Sequence, residues 1–310
     1  MSSLSGRHFL SLQDFTPSEI GAFLDFAQEL KGKQKQGIPH PVLAGKTLGM
    51  IFQKPSTRTR VSFEVGIWQL GGYGLFLSSQ ELQMGRGEPI KDTAAVLSRY
   101  LDGIMIRTFD HGEVEKLAAH ATIPVINGLT DLLHPCQALA DLLTIKEKIG
   151  HLDGVNAAYL GDGNNVAHSL LLGCSKMGVN LSVGAPEGYQ PLEEIVKRAR
   201  ENASISGSKV TITQDPREAV HEADVIYTDV WASMGQEEEK IARRKIFSSY
   251  QVNRELVKLA RPGAIVMHCL PAYRGEEITE EVLESEQSVV LDQAENRLHA
   301  QKSLMATLMA

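Results

Sequence analysis

Short apolar runs of strand character alternate with amphipathic, helix-like stretches along the whole 310-residue chain, and the chemically distinctive side chains gather just after the apolar runs. Alternation of this kind specifies mainly parallel sheets whose faces are covered by helices. Right-handed crossovers then bring the carboxyl ends of the strands to one edge, which is where ligands bind in such folds. The expected class is therefore α/β, and 310 residues are enough for two domains.

The first half begins with a helix signal. Thr16 reads as the N-cap, Pro17 as the first helical residue and Glu19 as the reciprocal capping partner. Ile20, Phe23, Leu24 and Ala27 form the apolar stripe of that helix. The run TLGMIF, residues 47–52, is a strand leading into QKPSTRTR, and the helix after it sets Val61, Val65 and Trp68 on one face. GYGLFL and GIMIRTF read as further strands, IKDTAAVLSRY and EVEKLAAHA as helices. A long helical stretch, DLLHPCQALADLLTIKEKIGHLDG, carries Leu139, Leu142 and Leu143 near one side and runs out in polar, glycine-rich sequence. Strand character then restarts in VNAAYLGDG and recurs in VNLSVGA, KVTITQD, ADVIYTDV, AIVMHCLP and SVVLDQA. YQPLEEIVKRARENA and NRELVKLARP are the helices between them. The expected domains are 1–148 and 149–292, joined by interdomain helices. A last amphipathic helix, from about 293 to 310, can pack back on the first domain.

Composition removes several classes. Thirty-one basic against 38 acidic side chains leave a net charge of −7, which argues against nucleic-acid binding yet permits a local basic pocket. Cys136, Cys174 and Cys269 are far apart and form no CxxC pair, and His111, His120, His268 and His299 lack zinc-site spacing. No metal is expected. No apolar run reaches the ~20 residues of a membrane span, and the first residues lack a signal-peptide pattern, so a cytoplasmic enzyme is expected. GDGNN lacks the third glycine of a dinucleotide turn, with Val166 in its place, and neither a Walker loop nor a GxSxG elbow is present.

Two sets of polar residues carry the chemistry. Ser56 and Thr57 can cap a helix and leave its first amides to an anion, Arg58 adds a planar fork, and Thr57 and Thr59 add hydroxyls. Together these are the parts of a phosphate site. Arg60 stays open between that role and pairing with an acidic neighbour. Arg107 ends a strand, as a second anion contact or an ordinary ion pair. His134 and Gln137 flank Pro135, suited either to a carbonyl and an amide or to the start of a helix. In the second half, Asn164-Asn165, Asp229 and His268-Cys269 each follow a strand. An aspartate with amide and hydroxyl donors suits an amino acid's α-ammonium and α-carboxylate. Equally, Asn165 suits a cap, Asp229 a turn and Cys269 a small buried apolar site.

The segments STRTR, HPCQ, DVWASMG and HCLP, supported by GDGNN and AENR, resemble the ornithine carbamoyltransferases, the ornithine-using branch of the aspartate/ornithine carbamoyltransferase superfamily. The resemblance covers the chain throughout. It implies a carbamoyl-phosphate domain followed by an ornithine domain, in a homotrimer with shared sites that can stack into larger assemblies. By the same resemblance, Ser56, Thr57, Arg58, Thr59, Arg107, His134, Pro135, Cys136, Gln137, Cys269, Leu270 and Arg297 hold carbamoyl phosphate. Gln83 reaches in from a neighbouring subunit, at a position where other members often have histidine. Asn165, Asp229, Ser233 and Met234 hold ornithine. Arg58, Thr59, Arg107, His134 and Cys269 are the implied catalytic set, with no cofactor. The expected reaction is direct attack of the neutral δ-amine, with domain closure excluding water from the cleft. Competing expectations are another amine or N-acylated ornithine as acceptor, aspartate as a weaker case, and a silent phosphate-metabolite binder.

Overall fold

A computed structural model of the chain describes residues 4–79, 82–232 and 239–310. It divides into two compact units, residues 1–143 with 295–310, and residues 144–294. Both divisions fall inside helices.

The first unit holds four parallel strands, β1 (Thr47–Phe52), β2 (Tyr73–Ser78), β3 (Gly103–Arg107) and β4 (Val125–Leu129), in the order β2-β1-β3-β4. Its helices are α1 (Pro17–Lys35), α2 (Thr57–Gln69), α3 (Ile90–Leu97), α4 (His111–His120) and the first part of α5 (Pro135–Ile149). The second unit holds β5 (Asn156–Leu160), β6 (Asn180–Gly184), β7 (Val210–Thr213), β8 (Val225–Thr228) and β9 (Ile265–His268), all parallel, in the order β7-β6-β5-β8-β9. Around them lie α6 (Asn165–Lys176), α7 (Glu193–Ser206), α8 (Pro216–Val220), α9 (Lys240–Phe247), α10 (Arg254–Val257) and α11 (Glu280–Leu283). The last helix, α12 (Val290–Leu308), ends in the first unit. In each sheet the chain moves outward on one side of a central strand and resumes on the other. The reversals lie between β1 and β3 and between β5 and β8. Those strand ends form the crevice where open α/β sheets bind ligands.

Local physics accounts for most elements. Thr16 and Glu19 form the reciprocal capping box at the start of α1, and Ile20, Phe23, Leu24 and Ala27 are buried beneath it. Phe9, Phe15 and Phe23 pack ring against ring with centroids 5.3–6.0 Å apart. β3 and β4 are buried along their whole length, as expected of strands covered on both faces.

Val61, Val65 and Trp68 share a face of α2, as expected, and it is the exposed face, Trp68 at 73%. The buried face is Thr59, Phe63, Gly66 and Ile67. The cause is α12: a Cβ on Gly66 would meet the Met305 side chain at 2.9 Å, so the glycine marks the side on which α12 lies. SVVLDQA is not a strand. Ser288 makes one isolated bridge to Val266 and α12 starts at Val290, with Leu291 exposed and Gln293 buried in helical period. A short apolar run does not by itself distinguish a strand from a helix start. β4 lacked a strand signal because Asn127 and Gly128 interrupt it, and NRELVKLARP condenses to the four-residue α10.

Candidate active site

In the first unit, β1 delivers the chain to the amino end of α2. Ser56 is extended and is the N-cap, its Oγ accepting from the Thr59 amide at 3.3 Å. Thr57 and Arg58 therefore occupy the first helical turn, where backbone N–H groups lack helical acceptors. Arg297 of α12 is buried and forks into this turn. Its Nη2 donates to Thr59 Oγ1 at 3.0 Å and its Nη1 to Gln137 Oε1 at 2.7 Å. Gln137 in turn donates from Nε2 to Asp141 Oδ1 at 2.8 Å.

His134 precedes α5, and its carbonyl accepts from the amides of Gln137 and Ala138. Burial, then the guanidinium groups of Arg297, Arg107 and Arg58, hold its pKa well below the ordinary histidine value. The ring is neutral among three permanent cations. Arg107 ends β3 where the register with β4 shifts, a bulge of the kind that re-aims a side chain at a sheet rim. Lys54, also buried, pairs with Asp131 and lies 4.0 Å above the Phe109 ring, tying the segment before Ser56 to the one before His134. Arg60 belongs to the scaffold: it bonds Glu64 at 3.0 Å and lies 3.9 Å over Phe76. Pro135 opens α5, where a missing N–H costs nothing. The Cys136 thiol is spent on the Asn127 carbonyl at 3.3 Å, and burial pushes its pKa up to about 12. Gln83 lies exposed in the short turn Gln83–Arg86.

The second unit builds its site from hydrogen bonds. Asn164 caps α6, its Oδ1 accepting from the amides of Val166 and Ala167 at 2.9 and 3.2 Å. That leaves its amide nitrogen to donate to Asp229 Oδ2 at 2.8 Å. The other Asp229 oxygen accepts from the Cys269 thiol at 3.0 Å. Asn165, named from the resemblance, is the half-buried first residue of α6. Gly163 is required in this turn, because a Cβ there would lie 2.1 Å from the Pro191 nitrogen. Tyr159 donates to the Asp162 carbonyl at 3.0 Å, and burial, with Asp229 and Asp162 nearby, pushes its pKa well up.

Cys269 and Leu270 follow β9. Leu270 has φ 58°, a left-handed conformation rarely adopted by a large apolar residue, and the following bond to Pro271 is cis. The Leu270 amide donates to His268 Nδ1 at 2.8 Å, which leaves Nε2 as the donor to Glu277 Oε1 at 3.0 Å. Asp229, His268 and Cys269 bring an oxygen, a nitrogen and a sulfur within 4.8 Å of one another, the donor mix of a metal site. Both ring nitrogens and both carboxylate oxygens already have partners, which disfavours a cation there. Ser233 and Met234 lie outside the described residues. Buried Arg243 donates to the Trp231 carbonyl at 2.9 Å, Asp162 at 2.8 Å and Glu239 at 2.9 Å. Sequence reasoning missed Asp141, Asn164 as the partner of Asp229, and Arg243. The only available signal was the capping pattern around Asn164; Arg243 sits in KIARRK, which reads as a solvated charge run.

Parallel sheets with polar groups at both reversal points, permanent cations at one and a carboxylate, amide and thiol at the other, define a two-domain α/β transferase. Residues 7–147 match the carbamoyl-phosphate-binding domain of aspartate/ornithine carbamoyltransferases, and residues 153–308 match their aspartate/ornithine-binding domain. The chain is 62% identical over 307 residues to an ornithine carbamoyltransferase of Thermococcus kodakarensis, covering 99% of this chain and 98% of the relative. A solved ornithine carbamoyltransferase from Pyrococcus furiosus superposes with a TM-score of 0.96 at 59% identity, covering 99% of this chain and 98% of that one. The fold persists at greater distance: the Giardia lamblia ornithine transcarbamoylase structure, 32% identical and covering 98% of each chain, gives 0.89. The chain belongs to the aspartate/ornithine carbamoyltransferase family. No helix among the described residues is long and apolar enough to cross a membrane.

Proposed function

We propose that the protein transfers the carbamoyl group of carbamoyl phosphate to the δ-amine of L-ornithine, releasing L-citrulline and phosphate. The observation that carries this reading is a neutral His134 set among Arg58, Arg107 and Arg297 beside the amino end of α2. Permanent guanidinium charges and a helix amino end suit a phosphate dianion, whereas an uncharged imidazole can donate to a carbonyl oxygen without adding repulsion among the arginines.

In this reading Ser56, Thr57, Arg58 and Thr59 hold the phosphate, and Thr59, Arg107 and His134 polarise the carbamoyl oxygen. The neutral δ-amine attacks the carbonyl carbon to form a tetrahedral centre. The C–O bond then breaks, its electron pair leaves with phosphate, and the amine proton passes to phosphate or solvent. Asp229 pairs with the α-ammonium of ornithine, with Asn165, Ser233 and Met234 completing acceptor recognition. Cys269 and Leu270 lie beside the reacting groups. The chemistry calls for no organic cofactor or metal. A homotrimer follows from the same family reading, with Gln83 serving a neighbour's site. Citrulline formation is the physiological direction, supported by the relative named as anabolic in Pyrococcus furiosus, at 59% identity.

The test is citrulline formation by the purified protein with carbamoyl phosphate and a panel of ornithine, N-acetylornithine, lysine and aspartate. Turnover restricted to ornithine is expected. Turnover with another amine alone would reassign the acceptor, and binding of carbamoyl phosphate without product would favour a silent metabolite binder.

A further inference from the structure

Gln137 holds an amide whose two ends are chemically distinct but nearly equal in shape. Its carbonyl oxygen receives the Arg297 Nη1–H at 2.7 Å, and its nitrogen donates to Asp141 Oδ1 at 2.8 Å. An ionised carboxylate can only accept and a guanidinium can only donate. Turning the amide over would set carbonyl against carboxylate and NH2 against guanidinium, so both contacts would become repulsive. Asp141 is fully buried, Gln137 is 1% exposed and Arg297 4%, so water is poorly placed to relieve such a reversal. Geometry adds to the constraint. Asp141 stands one helical turn after Gln137 on α5, and the second arm of Arg297 is fixed on Thr59 at 3.0 Å. The carbonyl oxygen of Gln137 is thus held beside the first turn of α2, with Arg297 engaging one of its two lone pairs.

We propose that Asp141 is a positioning residue for donor selectivity: by fixing the Gln137 amide it presents an acceptor to the –NH2 of a carbamoyl phosphate and disfavours acyl phosphates that carry a methyl group there. This rests on the reading that the pocket takes carbamoyl phosphate. Acetyl phosphate is the matched probe, since it keeps the phosphate and carbonyl and replaces –NH2 by –CH3. A carbonyl held against that methyl loses its partner without regaining water, the situation in which a hydrogen-bonding site rejects an analogue most strongly.

The experiment measures the KM for carbamoyl phosphate and the inhibition constants of acetyl phosphate and inorganic phosphate, for the wild type and Asp141→Asn. Asparagine keeps the shape but satisfies either orientation of Gln137. The preference for carbamoyl over acetyl phosphate is expected to fall about 10-fold while the constant for inorganic phosphate stays put. In a Gln137→Met background, Asp141→Asn is expected to change the preference no further. An unchanged preference in folded Asp141→Asn, or an equal loss for all three ligands, overturns the proposal. So does a wild type that fails to prefer carbamoyl phosphate, a result that needs no variant. If Asp141→Asn does not fold, Asp141→Leu, similar in size and without an acceptor, carries the same expectation. A wild type that makes no citrulline and binds no carbamoyl phosphate would instead break the functional reading itself.

Discussion

The polar clusters of the two units are built on opposite principles. The first unit surrounds a helix amino end with guanidinium groups whose charge never changes, and it buries the residues that aim them. The second unit turns on the carboxylate of Asp229, whose two oxygens are held by an asparagine that is also a helix cap and by a thiol. An anion site assembled from permanent charge is ready before its ligand arrives. A cation site assembled from hydrogen bonds depends on the turns that carry them, so its recognition is tied to local stability.

The strongest way to break this comparison is Asp229→Asn, which keeps shape and removes charge. Ornithine use should weaken by about 2–5 kcal/mol, the usual cost of removing one partner of a desolvated charge pair, with carbamoyl-phosphate binding to the free enzyme unchanged. Calorimetry for the donor and steady-state kinetics for the acceptor separate the two; equal losses would make Asp229 a structural residue of both sites. Next comes Arg58→Ala on the other side. Loss of one charge-stabilising donor should cost about 2.7–4 kcal/mol in the catalytic barrier and leave the thermal midpoint nearly unmoved. Normal turnover with normal donor affinity would remove Arg58 from the site.

Asn164→Ala addresses the coupling of recognition to stability. It removes the α6 cap, worth about 0.5–2 kcal/mol, and frees Asp229 to rotate, so midpoint and ornithine affinity should fall together. Asn164→Asp, which retains a capping oxygen but faces Asp229 with a second carboxylate, should lose acceptor affinity with less loss of stability. The smallest expected effect is a pH dependence. His134 has a depressed folded pKa, so below its ordinary value of 6.5 the unfolded chain binds a proton that the native state refuses. Its contribution to stability is level above that value and falls as the pH drops from 8 to 6. Midpoints across that range, compared with His134→Asn, check the sign; identical slopes would mean that another group governs the acid limb.

The difference between the units also explains what could be read from residues alone. Ser56 to Thr59 are contiguous, and a cap followed by a helix with arginine in its first turn carries its own logic. The strand-end positions of Arg107, Asp229 and Cys269 were legible for a similar reason: alternation alone places each at the carboxyl end of a strand in its own sheet. Asp141 was not, because its meaning depends on Arg297 meeting Gln137 across 160 residues. Val61, Val65 and Trp68 were correctly grouped on one helix face, but periodicity does not say which neighbour a face will meet, and α12 took the other side. Arg243 illustrates the converse, a buried hub inside a run that looks like solvated surface.

The chain has two tryptophans, and each unit received one in an opposite setting. Trp68 stands 73% exposed on α2, whereas Trp231 is 4% exposed and stacked on Phe247 with ring centroids 5.9 Å apart. The molecule thus carries its own pair of optical reporters. Trp68 should emit to the red and yield to a collisional quencher such as acrylamide, while Trp231 should emit to the blue and resist it. Covering the α2 face by another subunit would shift the red component alone, and disruption of the acceptor unit would shift the blue one. Single Trp→Phe variants would let an emission spectrum follow association through one residue and unfolding of the other unit through the second.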